Sequence, residues 1–143
     1  MSLMRIAVIG ALILGAVGLY FWLSSTPAEQ VLAEDGPTAL VSIQLPDQLS
    51  DKAIAGKRGF EAKCVQCHGE NAVGQKGVAP PLVHKIYEPS HHGNESFQMA
   101  IANGVRGHHW PFGDMPKIDG LTRSDVDMIT TYIRELQRAN GIN

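Results

Sequence analysis

The sequence is poor in net charge, in aromatic residues and in cysteine. Its net charge is −2, so it lacks the basic footprint of a nucleic-acid-binding protein, and we expect no nucleic-acid partner. Aromatic residues make up only 6% of the 143 residues, which leaves a small domain with a thin core that a metal or cofactor would have to reinforce. No internal repeat is visible, and no strand-like run follows residue 47, which favours an all-α domain.

The first 23 residues are much more apolar than the rest. From Ile6 to Leu23 the chain has 18 residues without a charged side chain, enough for about 27 Å of helix against a bilayer core of about 30 Å. Tyr20 and Trp22 lie at the end of this run, where aromatic rings favour the headgroup region. The run exceeds the roughly 7–15 apolar residues of a cleaved signal peptide, so residues 1–23 are predicted to be a retained transmembrane anchor. A cleaved signal peptide is the alternative.

Basic residues determine the expected orientation of this anchor. Arg5 precedes the apolar run and the next basic residue is Lys52, which puts the N-terminus in the cytoplasm. The rest of the chain then lies in the periplasm, at a bacterial inner membrane. Ala7, Ala11 and Gly15 recur at four-residue spacing, which either allows close contact with another membrane helix or reflects how common small residues are there.

Residues 24–46 contain prolines and acidic residues but no basic residue, and they predict a flexible acidic linker. Within this linker, the run from Ala39 to Leu45 alternates weakly between apolar and polar residues. It could instead lie extended against another part of the chain.

Three helices are predicted in the remaining domain, residues 47–143. One covers residues 49–63 with Ser50 as its N-cap, and a short one covers residues 94–102. The last helix, residues 123–138, begins after a capping residue, has basic residues near its end and carries the clearest apolar stripe. The capping residue is Thr122, and the basic residues are Arg134 and Arg138. The apolar stripe is formed by Val126, Ile129, Ile133 and Leu136.

The two cysteines stand in the run Cys64-Val-Gln-Cys67-His68. A zinc ribbon needs a second pair of cysteines and a thioredoxin-like pair needs a βαβ unit, and neither is visible. The third use of this spacing is covalent attachment of haem, in which each thiol adds to a vinyl group and the following histidine binds the iron. A position outside the cytoplasmic membrane agrees with this use, so the motif predicts one covalently bound haem c.

From residue 47 to its end, the chain resembles the class I cytochromes c. Gly56 and Phe60 stand eight and four residues before Cys64, where this family packs its first helix on its last, and Tyr132 suits the partner position. The resemblance implies a small all-α class I cytochrome c fold, here preceded by one N-terminal transmembrane helix.

The resemblance also implies how the haem is held. Pro80 would accept a hydrogen bond from Nδ1 of His68, which orients that ligand, and Leu82 would pack against the porphyrin. Trp110 and His108 could hydrogen-bond a haem propionate.

The family usually supplies a methionine to the far face of the iron. Met115 is the strongest candidate, because it lies in a proline-stiffened loop between helices, as the family's Met-Pro does. Met99 and Met128 lie in predicted helices and are expected to fill the core instead. His109 is the alternative ligand and would lower the redox potential. The remaining loop histidines are expected to be partly exposed and could bind a metal adventitiously: His84, His91, His92 and His108.

With both axial positions filled by protein, the iron has no open site, so we expect an electron carrier rather than an enzyme and no small-molecule substrate. Resemblance to the anchored cytochromes of bacterial electron-transport chains implies transfer from a quinol-oxidising cytochrome complex to a terminal oxidase or a photosynthetic reaction centre. One alternative is a permanently docked haem subunit of a larger respiratory or photosynthetic complex. The other is a haem-based sensor that binds a gas when Met115 leaves the iron.

Overall fold

The computed structural model describes one continuous range, residues 38–143, and isolated helical positions near the N-terminus: Gly15, Val17, Leu19 and Tyr20. The continuous range holds four α-helices and two short 3₁₀ turns. The helices are α1 (Asp51–Lys63), α2 (Val65–His68), α3 (Asn94–Asn103) and α4 (Arg123–Ala139), and the turns are Glu70–Ala72 and Lys85–Tyr87.

The expected all-α domain is confirmed. Between residues 38 and 143 no β-strand forms, and isolated bridges join Gln75 to Ala79 and Val105 to Met115. The predicted caps are also present. The Ser50 hydroxyl accepts from the N–H of Ala53 at the start of α1, and Thr122 forms a reciprocal capping box with Asp125 at the start of α4.

Helices α1 and α4 pack closely enough to require a glycine between them. A Cβ atom added to Gly56 would lie 1.9 Å from the carbonyl oxygen of Met128, so no larger residue fits without moving α4. One turn further on, the rings of Phe60 and Tyr132 meet with their centroids 5.7 Å apart. Around this pair lies the buried core, which includes Ala53, Ile129, Ile133 and Leu136.

The chain before α1 is part of this core. Ile43 is only 3% exposed, and its alternate neighbours Ala39, Val41 and Leu45 are partly buried against the core. The side-chain amide of Asn140 also bonds both the N–H and the carbonyl of residue 44, at 2.8 Å each. From Thr38 onward, therefore, the segment expected to be a flexible linker packs on the domain. Residues 39–45 are extended along the core, which was the alternative prediction for them. Every second side chain of an extended segment lies on the same side, so these side chains can reach the core together.

No helix in the described part of the chain is long and apolar enough to cross a membrane. The predicted anchor, residues 1–23, falls outside the described residues except at its four helical positions, and so does the predicted linker up to residue 37. The division into anchor, linker and domain stays a prediction.

Candidate haem site

The cysteine motif lies at the junction of α1 and α2. Cys64 ends α1 by donating its N–H to the carbonyl of Phe60 at 2.7 Å, and it begins α2 by accepting from the N–H of His68 at 2.9 Å. One tight helical turn therefore carries Cys64, Cys67 and His68. This compact arrangement suits the attachment of a single planar group through both thiols.

Both thiols are free, and Cys64 is the more buried of the two. Burial, followed by the neighbouring Cys67, raises the pKa of Cys64 to about 11. Catalytic and redox-active cysteines need a lowered pKa, because the thiolate is the reactive form. Cys64 thus lacks the activation of a reactive thiol, which agrees with a role as a point of covalent attachment.

His68 is buried and held in one orientation. Its Nδ1 lies 2.9 Å from the carbonyl oxygen of Pro80, so the N–H is on Nδ1 and the lone pair is on Nε2. Burial lowers the pKa of His68, although the bond to Pro80 opposes this shift. The ring is therefore neutral near pH 7, and a neutral ring anchored through Nδ1 is the form that binds iron.

A strained turn between His68 and Pro80 brings these two residues together. Asn71 and Ala72 have positive φ angles of 52° and 62°, which for residues other than glycine costs about 1–2 kcal/mol each. The hydroxyl of Tyr132 donates to the Asn71 side-chain oxygen at 3.1 Å and thereby ties the turn to α4. The helix packing thus supports the geometry of the histidine.

Met115 lies at the base of a closed loop. Its backbone N–H and carbonyl pair with those of Val105, each at 2.9 Å. Inside the loop, the N–H of Gly107 donates to the carboxylate of Asp114 at 2.8 Å. Gly104 precedes the pair with φ of 75°, and a Cβ there would lie 2.6 Å from the Met115 carbonyl oxygen. The backbone at this half-buried methionine is therefore well fixed, as an axial ligand requires.

Trp110 gives a direct test of whether the residues fit a haem. Its Nε1–H is buried and makes no hydrogen bond within the described residues. The ring stacks on Phe112 and meets His84 edge-on. The Tyr87 hydroxyl lies close enough to interact with this N–H as an acceptor, which acts to lower the pKa of Tyr87, although burial raises it overall. A buried donor without a well-formed hydrogen bond costs up to about 1–3 kcal/mol, and a haem propionate would be a stronger acceptor than the Tyr87 hydroxyl.

The other methionines and Leu82 have less specific surroundings. Met128 is partly buried on α4 and Leu82 is partly buried against the core. Met99 is 54% exposed, so the core role expected for it is wrong. The reason is helical geometry: α3 buries Ile101, and a residue two positions away lies about 200° round the helix.

Arg134 is buried near the site, which the sequence pattern did not predict. It is only 5% exposed, and its guanidinium donates to the carbonyls of Tyr87 and His92 and lies 5.0 Å above the ring of Phe97. The sequence signal that could have indicated this burial is that Arg134 lies four residues after Thr130, which is buried on the same side of the helix. Arg134 ties the loop that holds His92 to α4.

Comparison with known proteins agrees with this geometry. A family model described as Cytochrome c matches residues 53–137, more than half of the chain, and this range includes both cysteines, His68, Pro80 and Met115. No significant match was found among curated proteins or solved structures. The chain therefore belongs to the cytochrome c family and is an electron-carrying protein with covalently attached haem c.

Proposed function

We propose that this protein is a membrane-anchored monohaem cytochrome that passes single electrons from a quinol-oxidising cytochrome complex to a terminal oxidase or a photosynthetic reaction centre. The observation that carries the proposal is the buried bond between His68 Nδ1 and the Pro80 carbonyl, because it fixes one axial ligand of a haem. Cys64 and Cys67 would attach the haem, and Met115 would be the second axial ligand.

The chain's own residues account for the rest of the site. When bound, the haem would supply an iron that changes its oxidation state by one electron. Pro80 holds the imidazole, the Val105 pairing restrains Met115, and Trp110 would donate its Nε1–H to a haem propionate. Ligands fixed in this way move little between oxidation states, which suits electron transfer better than substrate turnover.

The charge distribution supports a tethered carrier rather than a freely diffusing one. From Asp47 to the end there are 11 basic and 11 acidic side chains, so the domain has no strong field of one sign to steer a diffusional encounter. A tether would replace that steering, because a flexible linker keeps the effective concentration of a membrane partner near about 1 mM. Anchoring at a bacterial inner membrane, with the haem domain in the periplasm, follows from the predicted helix at residues 1–23.

Isolated membranes allow the proposal to be tested. The full chain with a C-terminal affinity tag is extracted in mild detergent, and the haem spectrum and the co-purifying proteins are measured on the same sample. A shuttle is isolated alone, and its haem is reduced by a quinol-oxidising complex and reoxidised by a separate complex. Stoichiometric co-purification with one redox complex would indicate a docked subunit instead. A haem that is neither reduced nor reoxidised by such complexes would contradict electron carriage.

A further inference from the structure

Histidines from two separate loops meet on the surface of the domain. His91 and His92 follow the turn Lys85–Tyr87, and His109 lies in the loop that Val105 and Met115 close. One ligand nitrogen from each of the three rings lies within 4.8 Å of the others. The haem site described above has no need of this convergence, since its ligands are His68 and Met115.

We propose that His91, His92 and His109 bind a divalent transition-metal ion, separate from the haem iron. Zinc–nitrogen bonds of about 2.0–2.1 Å in tetrahedral geometry place ligand nitrogens about 3.3 Å apart. The observed separations exceed this by at most about 1.5 Å, which side-chain rotation can close because His91 and His109 are exposed. A fourth position would be open to water or another ligand.

His92 is already oriented as a metal ligand. Its Nδ1 lies 2.6 Å from the carbonyl oxygen of Ile86, to which it donates, so the lone pair is on Nε2. Metal-bound histidines commonly use such a bond to a carbonyl to fix the ring and its tautomer. The backbone is fixed as well, because the buried Arg134 donates to the carbonyl of His92 and its Nε donates to the Asn94 side chain at 3.0 Å.

His108 lies beside the cluster, although it is not one of its three ligands. Its ring centroid lies 4.0 Å from that of His109, and its Nδ1 donates to the carbonyl of Arg106 at 2.8 Å. This bond again leaves Nε2 available. The rings of His92 and His108 therefore both donate from Nδ1 to a backbone carbonyl, and the two residues lie in different loops.

The chemistry of the cluster selects the type of ion. Its ligands are imidazole nitrogens without a carboxylate, which suits Cu²⁺ and Zn²⁺ and does not suit Mg²⁺ or Ca²⁺.

A bound ion would connect the two loops. It would join the segment after Lys85–Tyr87 to the loop whose base holds Met115, across the 16 residues of chain between His92 and His109. An ion that binds only the folded protein also raises its thermal stability as the ion concentration increases.

Zinc titration of the haem-loaded full chain, prepared without a histidine tag, tests this site. Zn²⁺ is used because it has no redox chemistry and leaves the oxidation state of the haem unchanged. Calorimetry should give one ion per chain, with Cu²⁺ binding more tightly and Mg²⁺ failing to compete. His91→Ala should weaken zinc binding by at least about 10-fold. His91 makes ring contacts but no side-chain hydrogen bond in the described residues, so this variant should fold.

His84→Asn is the matched control. His84 lies outside the cluster and caps the turn Lys85–Tyr87 through Nδ1, a role that the asparagine oxygen can take over. This variant should bind zinc like the parent chain. Zinc-edge X-ray absorption on the parent should show three or four imidazoles. Equal affinity for both variants, the absence of one-to-one binding, or fewer than three imidazoles would each overturn the proposal.

Discussion

The interface between α1 and α4 and the loops at residues 80–93 and 105–116 differ in how far the chain itself satisfies their side chains. In the helix interface, formed by Gly56, Phe60, Ile129 and Tyr132, apolar side chains bury one another and the polar caps are satisfied. The loop face, residues 80–93 and 105–116, contains a buried Trp110 donor without a well-formed hydrogen bond and a cluster of histidines. The helix interface is completed by the chain itself, whereas the loop face carries polar groups that a bound cofactor or ion would satisfy.

The largest expected effect comes from preventing covalent attachment of the haem. Cys64→Ala and Cys67→Ala should each greatly reduce or abolish covalent haem, because each removes one thioether bond. Haem staining after denaturing electrophoresis measures this directly. Met115→Ala serves as the control, since it leaves both thiols in place and should retain covalent haem. Normal covalent loading in both cysteine variants would rule out haem c.

The next largest effect disrupts the helix interface. Gly56→Ala places a Cβ 1.9 Å from the Met128 carbonyl oxygen, so α4 must move, and we expect a loss of about 3 kcal/mol of unfolding free energy or more. Gly59→Ala is the milder comparison on the same helix: the nearest atoms belong to the Ile129 side chain at 3.0 and 3.1 Å and need to move by only a few tenths of an ångström, so we expect a smaller loss. Denaturant unfolding of the haem-loaded chains measures both. Similar losses for the two variants would contradict the close approach at Gly56.

A smaller effect, which depends on pH, is expected at Tyr132 in the helix interface. Burial, followed by the charge of Glu61, raises the pKa of Tyr132 from 10.0 to about 12. The unfolded chain therefore loses this proton first, and the contribution of Tyr132 to stability is present below pH 10 and is lost as the pH rises towards 12. Tyr132→Phe should lose the bond to Asn71 at neutral pH and show a shallower decline of stability above pH 10. Parallel curves for the two proteins would refute the shift.

The smallest effect is expected at an exposed ion pair. Arg123 and Glu95 form two hydrogen bonds, at 2.9 and 3.1 Å, but their side chains are 73% and 64% exposed. Solvent screens such pairs, so Glu95→Gln should leave the denaturation midpoint nearly unchanged. A shift comparable to that of Gly56→Ala would mean that surface charge, and not the buried interface, determines stability.

The helices that form the interface could be predicted from the sequence, whereas most contacts of the loop face could not. Apolar spacing and capping residues predicted α1, α3 and α4, because those signals act within a few residues. The burial of Arg134 and the meeting of His92 with His109 depend on contacts between distant segments, which no local pattern encodes. The packing of residues 39–45 was only the alternative prediction for the same reason: a weak alternation becomes informative only when a core is present to receive it.

The measurement that tests the central claim most directly is a redox titration of the haem-loaded full chain and of its Met115→His variant, with the ferric absorption spectrum recorded alongside. If Met115 binds the iron opposite His68, the parent shows a sulfur-to-iron charge-transfer band and the variant loses it. The midpoint potential of the variant should also fall, by on the order of 100 mV or more, because histidine replaces a ligand that raises it. A band that persists in the variant, with an unchanged potential, would show that another residue is the ligand and would contradict the account of the loop face.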